Sequence, residues 1–350
     1  MIYLPSFKKP VTIKPVALNE LGEQLSISIP DVRVPKIELE EKEQEKIVND
    51  TIKFVFGTSP KDALSKSEFE KRCLIFARHI GEKWEEILTS SHHPIEEKLP
   101  EVIAKMEAES FRLLVLSGVL AIYGTEEQIK VFVETLSEVL KLAKGKSGIV
   151  AIIAVPEVIV LLTIYIFTLL ALATRDFSRL KVFTNTRVYG WVYDGEPPKI
   201  LALNHVHYTS ALTGHADKVA DFVRSRLESM KWLKSLHPRL ENIQDVQIQA
   251  SFLLSMLMRH NDIRTWPDFG RWYAQRITSI VERIKYDDQY VKQIASLFDV
   301  QSKDLRLKFS EYLTDFRKAG MAQYHWESIS QKALFTPEEL TKMKEENLGD

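Results

Sequence analysis

The densest group of residues able to hold a metal is Asn204-His205-Val206-His207 together with His215 and Asp217. A His-x-His pair on extended backbone places both imidazoles on one face, a workable metal geometry, and His215 and Asp217 could complete the shell. The plainer alternative is a hydrogen-bonded loop leading into a helix N-terminus. Arg72 and His79 lie seven residues apart and so share one face of a helix. They are the candidate catalytic pair, against ordinary surface placement. A third group interleaves rings and charge: Arg264, Trp266, Phe269, Arg271, Trp272, Tyr273 and Arg276. Bases of a single-stranded nucleic acid could stack on such a platform. The same spacing also describes a helix with an aromatic core face and a solvated arginine face. Arg224, Arg226, Lys231, Lys234 and Arg239 form a second basic stretch, tempered by Asp217, Asp221 and Glu228.

Other chemistries are disfavoured. Lys144-Gly145-Lys146-Ser147 contains the Gly-Lys-Ser of a phosphate loop, but Leu140 stands where the motif needs glycine, and an amphipathic helix precedes it instead of a strand. Without that glycine the backbone cannot wrap a phosphate. No nucleotide or other cofactor is expected. The single cysteine, Cys73, excludes a disulfide framework and a thiolate cluster within one chain. It lies in the apolar run Arg72-Cys73-Leu74-Ile75-Phe76 and reads as a small core residue. Lys+Arg total 47 against Asp+Glu 48, so no global charge draws the chain to nucleic acid or an anionic membrane. The first residues lack the basic-then-apolar order of a signal peptide, so the expected location is cytoplasmic, with inner-membrane association as the alternative.

The elements that must position these residues are mainly helices. Residues 1–40 differ from the rest. Pro5, Pro10, Pro15, Pro30 and Pro35 punctuate short alternating runs, which predicts an extended N-terminal arm that packs on its own body or on a partner. From 41 to 335 the pattern is helical, with a subdivision expected near 184–203, where glycines and Pro197-Pro198 suggest a loop and at most a small hairpin in 187–195. Helices are expected from Glu40 to Phe56, from Ser59 to about Leu88, and from Pro100 to Tyr123. Another should start at Thr125, with Gln128 as its capping partner. Later breaks are expected near His237-Pro238, Asn261-Asp262, Trp266-Pro267 and Gly320. Thr336-Pro337-Glu338-Glu339 should cap a short polar C-terminal helix over 336–350.

The stretch Ile149 to Thr174 decides the class of the protein. It is long enough to cross a bilayer, and it is flanked on both sides by basic residues, so the charges give no orientation. Glu157 inside a span would cost roughly 2–3 kcal/mol. Pro156 splits the run and leaves a helix of ordinary buried length. A helix apolar on all sides is also what the centre of a large helical domain requires. The expected fold is therefore a mainly α, multi-helix domain around this very apolar helix, with membrane insertion of 149–174 as the alternative.

Segments 108–140, 156–183, 249–260 and 266–276, in this order, resemble the helical regions attached to effector or nucleotide-binding domains in prokaryotic antiphage defence proteins. The resemblance spans roughly 105–285 and implies an interaction or sensing module, with no counterpart here to the effector domain. The Arg72-to-His79 spacing is similar to that of HEPN-type ribonucleases, in which the pair works on RNA phosphates across a dimer. Three functions follow as expectations: a non-enzymatic interaction or regulatory protein working with a protein partner or as a homo-oligomer; a membrane-associated effector; and a metal- or RNA-dependent hydrolase.

Overall fold

The computed structural model describes residues 40–58, 63–90, 99–143, 154–188, 199–200, 216–263, 277–323 and positions 335, 336, 338, 339 and 341. Residues 1–39 of the expected arm lie outside that set. The fold is mainly α. Helices α1 (Glu41–Gly57), α2 (Ala63–Ser90), α3 (Leu99–Glu109), α4 (Phe111–Tyr123) and α5 (Glu126–Lys141) precede the apolar α6 (Val155–Thr174). Then come α7 (Phe177–Asn185), α8 (Ala216–Ser229), α9 (Lys231–Leu236), α10 (Ile243–His260), α11 (Ile277–Tyr286), α12 (Asp288–Ala295) and α13 (Ser302–Gln323). Short 3-10 turns at Pro238–Asn242 and Ser296–Phe298 join the later helices. Among the described residues the strands are two residues each, β1 (Arg187–Val188) and β2 (Lys199–Ile200), antiparallel with Arg187 opposite Ile200. The hairpin expected within 187–195 thus finds its second strand beyond the two prolines.

Helix α6 is the centre. Every residue from Val158 to Ala173 is buried, and α3, α4, α5, α7, α8 and α10 all pack on it. Pro156 falls in its first turn, where its missing N–H costs nothing, and Glu157 joins it at the positive end of the helix dipole. At the other end Arg175 takes a left-handed conformation with φ 60°. There Arg239 Nη1 donates to the Ala173 carbonyl at 2.8 Å, satisfying a group the helix leaves open.

The closest neighbour of α6 is α4. Gly118 permits their approach: a Cβ there would stand 2.8 Å from Leu170 Cδ1 and 3.2 Å from Trp232 Cζ3. Ser117 Oγ donates to the Thr163 carbonyl at 2.9 Å, and Ser251 Oγ lies 3.2 Å from Tyr165 Oη. Thr163 and Thr168 return their hydroxyls to the carbonyls of Ile159 and Ile164. Phe167 stacks on Phe183 at 4.1 Å. The few polar atoms on α6 therefore have fixed partners, and its apolar surface is interlocked with named residues of its neighbours.

Several boundaries differ from expectation. The helix expected from Pro100 to Tyr123 is two helices. At Ser110 (φ −90°, ψ 2°) the backbone turns, and both Leu113 N and Leu114 N donate to the Ser110 carbonyl. Helix α13 runs through Gly320 to Gln323, since a lone glycine costs a helix only about 1 kcal/mol, and residues 324–334, where a break near Gly320 would fall, lie outside the described residues. The Thr125–Gln128 capping box forms as expected, and the Gln128 amide reaches across to the Val55 carbonyl at 3.0 Å, tying α5 to the end of α1. Thr336 and Glu339 also cap reciprocally: the Thr336 N–H donates to the Glu339 carboxylate and the Glu339 N–H donates to the Thr336 hydroxyl. The Ser59 cap lies outside the described residues.

Leu162 is fully buried in the middle of α6. Leu162→Ala should cost about 3 kcal/mol in urea unfolding. Leu162→Lys should abolish the cooperative transition in detergent-free buffer, since an uncompensated buried charge adds to the lost packing.

Candidate functional site

Among the described residues, Arg72 and His79 are the candidate pair, and they do not meet. Arg72 and His79 share a face of α2, as their spacing requires, but each is held by a different neighbour. The Arg72 guanidinium lies over the Phe54 ring of α1 at 5.7 Å. His79 Nε2 pairs with Glu109 Oε2, at the end of α3, at 3.1 Å. Two turns of helix, about 10.5 Å, separate the two positions along the axis. Both residues are exposed.

Cys73 turns inward from α2 and is fully buried. Desolvation pushes its thiol up to about 12, with a hydrogen bond to Thr135 opposing the shift. A thiol so far from ionisation is a poor nucleophile and a poor metal ligand. His205, His207 and His215 lie outside the described residues, and Asp217 lies in the first turn of α8. Among the described residues no group of three or more His, Cys, Asp or Glu side chains is placed to hold a metal. Arg264, Trp266, Arg271, Trp272 and Arg276 also lie outside the described residues. A shallow depression beside the Gln128 bridge, lined by Thr58, Lys66, Phe69, Glu127, Gln128 and Val131, has no room even for a water-sized molecule and is not a ligand pocket.

The second basic stretch is largely consumed by structure. Lys231 pairs with Glu41 of α1. Arg239 caps α6. Arg226 is buried with 5% of its side chain exposed, and its Nη2 lies 2.5 Å from Oε2 of Glu107, whose side chain is fully buried. This pair was missed in the sequence, yet a signal was present. Glu107 interrupts the apolar stripe Val102, Ile103, Met106 of α3, and Arg226 lies between the buried Val223 and Leu227 of α8. A charge at a core register position on each of two helices is the pattern of a buried partner pair.

Desolvation is the larger influence on Glu107 and raises its pKa above the ordinary 4.5; the Arg226 charge and hydrogen bond pull the other way. Its Oε1 has no hydrogen-bond partner among the described residues. The pair therefore ties α3 to α8 beside α6 at a net electrostatic cost. It reads as a register-fixing contact between elements far apart in the chain.

The outer face of α2 is the remaining feature. Five large apolar side chains are exposed among the described residues: Phe56, Leu74, Ile75, Tyr123 and Tyr286. Phe56 and Tyr123 pack on each other with ring centroids 5.1 Å apart, and the Tyr286 hydroxyl donates to Glu339 at 2.8 Å. Leu74 and Ile75, 56% and 45% exposed, have no such cover. With Lys71 and Arg78 they occupy positions i, i+3, i+4 and i+7, the four corners of a hole that receives a side chain from a facing helix.

No protein-family model, curated protein or solved structure matches this chain.

The Glu107–Arg226 pair gives a signed pH dependence. Between about 4.5 and its raised folded pKa, Glu107 holds more protons in the folded than in the unfolded state. Its contribution to stability is full below that window and falls as pH rises through it. Urea unfolding across pH should show this slope in the wild type and not in Glu107→Leu/Arg226→Met. At neutral pH the double variant should be at least as stable as the wild type, whereas Glu107→Leu alone should lose about 3–5 kcal/mol by stranding Arg226.

Proposed function

We propose that this chain is a non-enzymatic helical interaction protein, an assembly or regulatory part, with the outer face of α2 as a contact surface. The observation that supports it is the exposure of Leu74 and Ile75 within the frame of Lys71 and Arg78, on a helix whose opposite face is fully docked. An apolar centre within a polar frame is the ordinary anatomy of a protein–protein contact. The resemblance of 105–285 to helical regions of antiphage defence proteins suggests the setting: a complex in which the catalytic part lies on another chain.

A second reading has its own support. Val155–Thr174 is 20 residues long with a mean hydropathy of 2.3 in its most apolar window, enough to span a bilayer once released from its neighbours. On this reading the chain is a membrane-associated effector. Carbonate-resistant membrane pelleting of the expressed protein supports it, and recovery wholly in the detergent-free supernatant counts against constitutive insertion.

The pure protein, incubated with RNA or nucleoside triphosphates and divalent metal, should show no turnover above buffer, and His79→Ala should be indistinguishable from wild type. Turnover that His79→Ala abolishes contradicts the interaction reading in favour of a hydrolase.

A further inference from the structure

We infer that the C-terminal end of α11 is a docking site for a short acidic segment, an aromatic residue followed four positions later by a glutamate. The chain's own residues Phe335 to Glu339 fill it as a releasable strap. The inference does not depend on the outer face of α2. Its ground is one cluster of contacts. The Phe335 side chain is buried against the core, and the Lys285 ammonium lies 5.0 Å from its ring centroid. Lys285 Nζ also donates to Glu339 Oε2 at 3.0 Å, and the Tyr286 hydroxyl donates to Oε1 at 2.8 Å. Two consecutive residues of α11 thus read two features of the segment. Lys285 meets both the ring and the carboxylate, and Tyr286 meets the carboxylate. The Lys285 side chain is only 6% exposed, so its charged hydrogen bond is sheltered from water, where such bonds are strongest.

Each half is shaped without the other. Within the segment, the Thr336 N–H donates to Glu339 Oε2 at 2.7 Å and the Glu339 N–H to the Thr336 hydroxyl at 3.2 Å. This internal cap sets the spacing between the ring and the carboxylate. On the receiving side, α11 packs on α10 and α12, and Arg306 of α13 donates to the Ile284 carbonyl at 2.9 Å. None of those attachments passes through the segment. The anchors Phe335 and Glu339 are one ring and one carboxylate, little beside the helices packed around α6. Opening so lightly held a segment costs less than unfolding the whole chain. A partner carrying the same aromatic-then-acidic pattern competes with it for α11.

The test uses the full chain with the seat emptied, Phe335→Ala/Glu339→Ala, and a fluorescent peptide of residues 331–350. The variant should keep the circular dichroism of the wild type and the slow hydrogen–deuterium exchange of 155–174, while α11 exchanges faster. Fluorescence anisotropy should show it binding the peptide with a Kd of about 100 µM or tighter, a strength within reach of one ring and one ion pair. The wild type should bind more weakly by about tenfold or more, because its own segment competes at an effective concentration of roughly millimolar. Phe335→Ala in the peptide should remove binding. Tyr286→Phe in the emptied chain should weaken the parent peptide about fivefold. It should leave a Glu339→Ala peptide unaffected, since the hydroxyl then has no carboxylate to meet. A folded variant that binds no peptide, or a wild type that binds it as well as the variant does, overturns the docking site. So does a Tyr286→Phe effect that persists with the Glu339→Ala peptide. Loss of slow exchange over 155–174 in the emptied chain overturns the strap, because the segment would then belong to the cooperative core.

Discussion

A helix with no polar side needs cover on every side, and the architecture follows from that constraint. Helix α6 presents aliphatic and aromatic residues around its whole circumference, so no orientation leaves a face for water. Among the described residues six helices pack directly on it, drawn from both before and after it in sequence. Those helices are amphipathic or, in α4, nearly as apolar as α6 itself. The second layer, in which α1 packs on α4 and α2 on α5, covers what the first leaves open. Gly118 sets how closely the two most apolar helices approach, and the Ser117 and Tyr165 hydrogen bonds fix their rotation against each other and against α10.

Within that dry centre the Glu107–Arg226 pair is the costly exception. It ties residues more than a hundred positions apart, on helices that both pack against α6. Apolar contacts alone tolerate sliding and rotation, whereas an ion pair in a low-dielectric interior has one good arrangement. The same division of labour recurs nearer the surface. Gln128 ties α5 to the end of α1, and Arg239 closes the C-terminus of α6. Arg226 and Arg239, two members of the second basic stretch in the linear sequence, thus serve as internal fasteners.

The class of the fold was legible because periodicity and run length report burial directly. The apolar run from Pro156 onward, the Thr125–Gln128 cap and the single core cysteine could each be read from residue type and spacing. What was not legible depends on contacts between distant segments. The turn at Ser110 interrupts a stretch whose local pattern is continuous helix, and Gly320 sits inside a helix that local propensity alone would end. The buried pair left a trace, a charge in each of two apolar stripes, but only the three-dimensional arrangement matches the two. Arg72 and His79 show the limit for site reasoning. Their common face was predictable, while their separate partners, Phe54 and Glu109, come from other helices.

The described interior of the bundle is committed to packing α6, and the central claim is that α6 is the stable heart of that bundle. Hydrogen–deuterium exchange of the detergent-free protein tests this most directly. Peptides covering 155–174, together with those of α4, should exchange most slowly of the whole chain, opening only with global unfolding. Rapid exchange of 155–174 in detergent-free buffer, with protection appearing only when lipid vesicles are added, would contradict it.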